Sequence, residues 1–150
     1  MNPGPRKFLL YWLPALLWMP LVLGASSDPF SAEHTGKVLK VFFGWMQPEP
    51  FGLLHFMIRK LAHLSEYGIL AFLFFRAWRG ARSGWQMLWA QRAFACCLAV
   101  AALDEFHQGY VASRTSSLRD VAIDACGALV ALAIIRWRTR HSSKIILRKA

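Results

Sequence analysis

Three short stretches of the chain hold nearly all the side chains that could do chemistry. Lys60, His63, Glu66 and Tyr67 stand in the first, Asp104, Glu105, His107 and Gln108 in the second, and Arg114, Asp120 and Asp124 in the third. An imidazole beside a carboxylate can act as general base, which makes His63, Glu66, Asp104 and His107 the candidate catalytic groups. Lysine and arginine can hold a phosphate or carboxylate, and amide, phenol and acid groups fix its orientation. Lys60, Tyr67, Glu105, Gln108, Arg114, Asp120 and Asp124 are therefore the candidate binding groups. A donor set of carboxylates and imidazole also suits Zn²⁺ or Mn²⁺, and carboxylates alone suit Mg²⁺ or Ca²⁺. No pair of histidines sits four apart in the manner of a helical zinc site, so a divalent metal is compatible with the residues but not favoured, and no metal ligand is assigned. The nucleophile elbow, the phosphate-binding loop and the dinucleotide fingerprint are all missing from the sequence.

The elements that must position these groups are apolar. Of 150 residues, 56% are hydrophobic, with seven Trp and eleven Phe, a load that a single small soluble domain could not bury. Uncharged or nearly uncharged runs at 8–24, 61–78, 91–111 and 118–137 read as four transmembrane helices. The first carries Pro14 and Pro20, which bend or weaken a helix unless neighbours tolerate them. A cleaved signal peptide is the competing reading of this run, disfavoured by its length and its two Trp. Between the first two spans, Val38 to Met46 interleaves apolar residues with Lys40, as in a short interfacial helix, and Phe51 to Ile58 is expected to enter the membrane surface in the same way. The apolar core of the third run, Ala93 to Leu103, is too short to cross a bilayer and must extend at one end or both. The expected fold is an all-α integral membrane bundle of about four helices, forming one domain over 1–150 with a basic cytoplasmic tail at 138–150. Cys96, Cys97 and Cys126 lie in apolar runs and read as small packing residues.

Charge sets the orientation. With four spans both termini share one side, and that side collects twelve of the eighteen basic residues, while all eight acidic residues fall on the other. The positive-inside rule then places both termini in the cytoplasm. The net charge of +10 is on this reading a topology signal, with anionic lipid head groups as further partners of the tail. Nucleic acid is not expected, because no aromatic and basic module accompanies the charge.

This topology brings the polar ends of spans two, three and four into the outer leaflet. Lys60, His63 and Tyr67 share a helix face at i, i+3, i+7, with Glu66 beside them; Asp104 and Gln108 are four apart, as are Asp120 and Asp124, and Gly127 continues that last face. A glycine there permits close helix approach. Interhelical hydrogen bonds and ion pairs, such as Lys60 or Arg114 with Glu66 or Asp120, would account for the cluster as structural glue. An Asp at a membrane helix centre costs about 2.5–3.5 kcal/mol on insertion, however, and Ser, Thr or Asn would serve as glue more cheaply. A working pocket is the stronger reading. It accommodates either a binding site for a lipid or wall-precursor head group or an enzyme, a hydrolase or transferase acting on a lipid-linked phosphate. An ion or proton pathway ranks below both, because the cytoplasmic halves of the spans lack acids to continue one.

The ordered set Lys60-x-x-His63-x-x-Glu66-Tyr67, Asp104-Glu105-x-His107-Gln108, Arg114, Asp120, Asp124 and Gly127, with Ser26-Ser27-Asp28-Pro29 after the first span, resembles the VanZ-like family of small membrane proteins. Ala112-Ser113 stands where that family usually has Pro-Gly, and Asp124 where it often has Asn. The resemblance implies an integral membrane protein of the bacterial cell envelope. The namesake of the family is linked to teicoplanin resistance, an antibiotic-resistance role that many relatives stand outside.

Overall fold

A computed structural model describes residues 5–25, 32–109 and 117–147. Among these residues the chain is all helix: α1 (Pro5–Ala25), α2 (Ala32–Phe43), α3 (Pro48–Arg79), α4 (Met87–Gln108) and α5 (Leu118–Leu147). The 32-residue α3 is the hub, packing against each of the other four.

Local chemistry sets the ends of these helices. Pro48 opens α3 in the first turn, where a missing N–H costs nothing. Gly80 closes α3 with φ of 59°, a left-handed conformation that favours glycine, and its N–H reaches Arg76 O at 3.0 Å. Arg76 and Arg79 in the last turn complement the helix dipole. At the start of α5, Ser117 Oγ accepts the N–H of Arg119 at 3.2 Å, a cap that satisfies one orphan donor.

Side-chain contacts fix the directions. Trp18 Nε1 donates to Glu66 O at 3.1 Å, and Trp12 lies edge-on to Trp78 with ring centroids 4.9 Å apart, so α1 and α3 run antiparallel. Phe75 meets Trp89 at 6.2 Å while Asp104, near the other end of α4, lies within electrostatic reach of Tyr67, so α4 also runs against α3. Lys60 contacts Asp120, and His63 contacts Asp124, so α5 runs parallel to α3. The four long helices therefore alternate up and down. Their core is Ala15 and Val22 of α1, Tyr67, Leu70, Ala71, Phe74 and Phe75 of α3, Ala93, Cys97, Val100 and Ala101 of α4, and Ala128 and Leu132 of α5. Small residues at Ala90, Ala93, Cys97 and Ala101 let α4 approach α3 closely. At the α3–α5 crossing, a Cβ on Gly127 would collide with the carbonyl of Leu64 and lie 3.0 Å from its Cα; only glycine fits there. The cysteines form no disulfide: Cys97 is buried, Cys96 half-buried and Cys126 exposed.

The structure differs from the sequence reading in extent. Residues 51–58 are not a separate surface segment but the first turns of a continuous α3, because no breaker stands between Pro50 and Gly68 other than Gly52. The third apolar run gains length at both ends, starting at Met87 and ending at Gln108 rather than 111. The fourth helix continues past Trp137 to Leu147, so most of the expected tail is helical. Among the described residues, two helices, at Arg6–Gly24 and Met87–Gln108, are long and apolar enough to cross a membrane. α3 and α5 are longer still, but their polar groups, His63, Glu66 and Arg76 in one and Asp120, Asp124 and Arg136 in the other, dilute the apolar signal.

Candidate functional site

The helix ends at α1 C-terminus, α3 N-terminal half, α4 C-terminus and α5 N-terminus meet at one end of the bundle, and the polar side chains gather there. On α3, Lys60, His63, Leu64 and Tyr67 face α5; on α5, Asp120, Asp124 and Gly127 face back. The contact at Gly127 sets the axial offset of the two helices, and with it which charge meets which. The rim of the site is the Lys60–Asp120 ion pair, whose side chains are about one quarter exposed. One turn deeper, His63 Nδ1 lies 3.4 Å from Asp124 Oδ1, and Asp124 is 1% exposed. Deeper again is Tyr67, wholly buried, with its hydroxyl toward the same interior.

Helix α4 adds a third wall. Asp104 is buried and accepts a 2.9 Å hydrogen bond from Gln108 Nε2, one turn along the same face. Asp104, Glu66 and Asp124 all lie within electrostatic reach of both His63 and Tyr67. Three helices thus bring an imidazole, a phenol and carboxylates to one spot, at the polar end of an otherwise apolar core. Tyr67 Oη and both Asp124 carboxylate oxygens have no hydrogen-bond partner among the described residues. At 3.4 Å, His63 Nδ1 and Asp124 Oδ1 face one another but are far apart for a strong hydrogen bond. Buried acceptors in that condition are costly unless a donor completes them.

Not every candidate joins this cluster. Glu105 is buried but turns to the start of α5, where its Oε2 accepts the N–H of Ser117. That places a carboxylate at a helix N-terminus, where the dipole favours it, and ties α4 to α5. His107 is exposed on α4. Gln108 reaches the site through Asp104. Arg114 lies outside the described residues, as do Ser26 to Pro29. Among the described residues no group of three or more His, Cys, Asp or Glu is arranged to hold a metal ion.

Two contacts were not legible in the residue pattern. The Ser117 N–H that engages Glu105 is a backbone group, and no side-chain spacing announces it; the Ser before an Asp three residues on, at Ser117 and Asp120, was the available capping signal. The second is Trp18, whose indole binds the Glu66 carbonyl and seats α1 beside the site. A tryptophan inside an apolar run gives no hint of this.

Comparison with known proteins gives one match. The family model described as VanZ/LLP1 matches residues 10–139, a range that takes in every candidate residue of the site. No curated protein and no solved structure matches the chain.

Proposed function

Because this chain belongs to the VanZ/LLP1 family, we propose that it is a bacterial inner-membrane protein whose polar site receives a head group from the outer leaflet. In this reading α1, α3, α4 and α5 span the bilayer, α2 lies at the outer interface, and both termini are cytoplasmic. The alternation of the four long helices supports it, as do the apolar side chains turned outward along them, among them Leu10, Leu17, Phe72, Leu88, Val130 and Ile134. The end bearing Arg76, Arg79, Arg82, Arg92 and Arg136 faces the cytoplasm and the acidic end faces out.

The observation that carries the function is the His63–Asp124 pair with Tyr67 and Asp104 alongside, buried where three helices meet. Ionisable groups at membrane depth are expensive, and acceptors lacking donors there call for a ligand that supplies them. The ligand class that fits is the head group of an anionic lipid or lipid-linked cell-wall precursor. Its hydroxyl or amino groups donate to Asp124 and Tyr67, and its phosphate meets Lys60 at the rim. Native mass spectrometry of the full chain from mild detergent, with a polyprenyl phosphate added, tests this. The wild type retains the lipid, and the His63→Leu/Asp124→Leu double variant loses at least ten-fold in retention. Equal retention by both refutes the site. If the head group belongs to a wall precursor, expression of the chain also changes teicoplanin susceptibility.

A second reading rests on the same 3.4 Å contact. Asp124 can orient the His63 ring so that its other nitrogen takes a proton from water or an acceptor hydroxyl attacking the terminal phosphorus of a lipid-linked diphosphate. The anhydride P–O bond breaks, and the polyprenyl phosphate leaves with its charge or with the proton returned by His63. Turnover of a polyprenyl diphosphate that His63→Ala abolishes, with lipid retention intact, favours this enzyme over the binding protein.

A further inference from the structure

The opposite end of the bundle carries a second feature. A groove of about 280 Å³ runs between α4 and α5, lined by Trp85, Ala90, Phe94, Leu132, Ala133 and, at one end, Arg136. Its walls are apolar except for that guanidinium and Gln91. The volume lies at the lower edge of the range for small-ligand sites, roughly 300–1,000 Å³, and suits a narrow chain better than a bulky ring system.

Charge identifies the occupant. The sequence has no acidic residue between Tyr67 and Leu103 and none after Asp124, so nothing acidic on these segments neutralises this end. Four other arginines there are held on aromatic faces: Arg76 over Tyr11, Arg79 over Phe75, Arg82 over Trp89 and Arg92 over Trp78, at 4.9–6.0 Å from ring centroids. Those contacts fix the guanidinium groups without cancelling their charge. Arg136, exposed on α5, is the one whose side chain borders the apolar groove. A basic group at the mouth of an apolar cleft between membrane helices matches an anionic lipid, head group at the arginine and chain in the cleft.

We infer that the α4–α5 groove holds one acyl chain of an anionic phospholipid, with the phosphate at Arg136. The site rests on the membrane placement proposed above and is independent of the ligand at His63. It gives the basic end a specific lipid contact beyond the general attraction of positive charge to the cytoplasmic leaflet.

The test is native mass spectrometry of the full chain from mild detergent supplied with equal amounts of phosphatidylglycerol and phosphatidylcholine. The wild type retains phosphatidylglycerol in preference. Arg136→Gln lowers the ratio of the two bound lipids about five-fold, the scale of one basic residue near a membrane surface. Ala133→Trp, which fills the groove from its exposed edge, lowers retention of both. Arg138→Gln, on the same helix but outside the groove lining, leaves the ratio as it was. An unchanged ratio in Arg136→Gln, or an equal fall in Arg138→Gln, overturns the groove site. A chain that stays monodisperse without detergent overturns the membrane placement and this site with it.

Discussion

At the scale of residues, the pair His63–Asp124 ranks above the other polar contacts because Asp124 is nearly sealed from its surroundings while its ring partner stands off at 3.4 Å. His63→Ala leaves that carboxylate without its nearest polar neighbour, and we expect a loss of about 1–2 kcal/mol in detergent unfolding, the range of polar interactions between membrane helices. Replacing both residues by leucine should recover most of that stability, because an apolar pair of similar bulk needs no solvation. A double variant that remains as unstable as the single one contradicts this. The same double variant is the one expected to lose its lipid, so stability and binding separate in it. Gly127→Ala is a different kind of test. The added methyl meets the Leu64 backbone, which cannot swing away as a side chain could, and should destabilise the bundle by about 1–3 kcal/mol, read as a lower unfolding midpoint. Much of this was legible in the residues. Spacing alone placed Lys60, His63 and Tyr67 on one face and Asp120, Asp124 and Gly127 on another. What spacing could not tell is how far one helix slides along its neighbour, and that offset decides whether His63 meets Asp120 or Asp124. Nor could it show that adjacent Asp104 and Glu105, both buried, turn to different tasks, one toward the site and one to the start of α5.

At the scale of elements, α3 joins two environments. Its apolar middle lies in the core, while its first turns meet α2 through Thr35 and His55, whose Oγ1 and Nε2 share a 3.0 Å hydrogen bond; Gly36 lets the His55 ring lie close. Burial, reinforced by the charge of Arg59, holds the His55 imidazole below its ordinary value. Such a histidine binds fewer protons folded than unfolded. Its contribution is therefore whole above the unfolded value of about 6.5 and is lost as pH falls below it. Hydrogen exchange across Ala32–Phe43, corrected for the intrinsic pH dependence, should rise between pH 7 and pH 5, and His55→Asn should flatten that rise. An equal rise in both chains would mean that His55 is not the group responsible. The sequence reading put a short interfacial helix at Val38 to Met46, where α2 runs Ala32–Phe43, and it split α3 in two. The split fell at Arg59 and Lys60, whose charges separate the apolar run 51–58 from the one beginning at Leu61, whereas the helix continues through that pair. The arginine and aromatic contacts around Trp78 and Trp89 were hidden for another reason. They join residues of three separate helices and the α3–α4 turn, which no spacing within one helix announces.

At the scale of the whole molecule, the two ends of the bundle are chemically opposite. One gathers arginines on aromatic faces and the other gathers carboxylates around His63. Between them the outward surface is apolar, with Leu17, Leu21, Phe72, Val130 and Ile134 at its middle. The polarity of the ends follows directly from where the acids and bases stand in the sequence, once the four helices alternate. Helix count was harder to read from composition, since the residues that build the site also make α3 and α5 less apolar than α1 and α4. The placement of His63 beneath the external face is the premise on which both lipid sites depend. It is tested most directly by cysteine accessibility in intact cells, with Cys96, Cys97 and Cys126 replaced by alanine. Leu118→Cys, exposed at the start of α5 beside the site, should react with a membrane-impermeant maleimide added outside, while Ser83→Cys, in the turn between α3 and α4, should react only after the cells are opened. Labelling of Ser83→Cys from outside with Leu118→Cys protected would contradict the account.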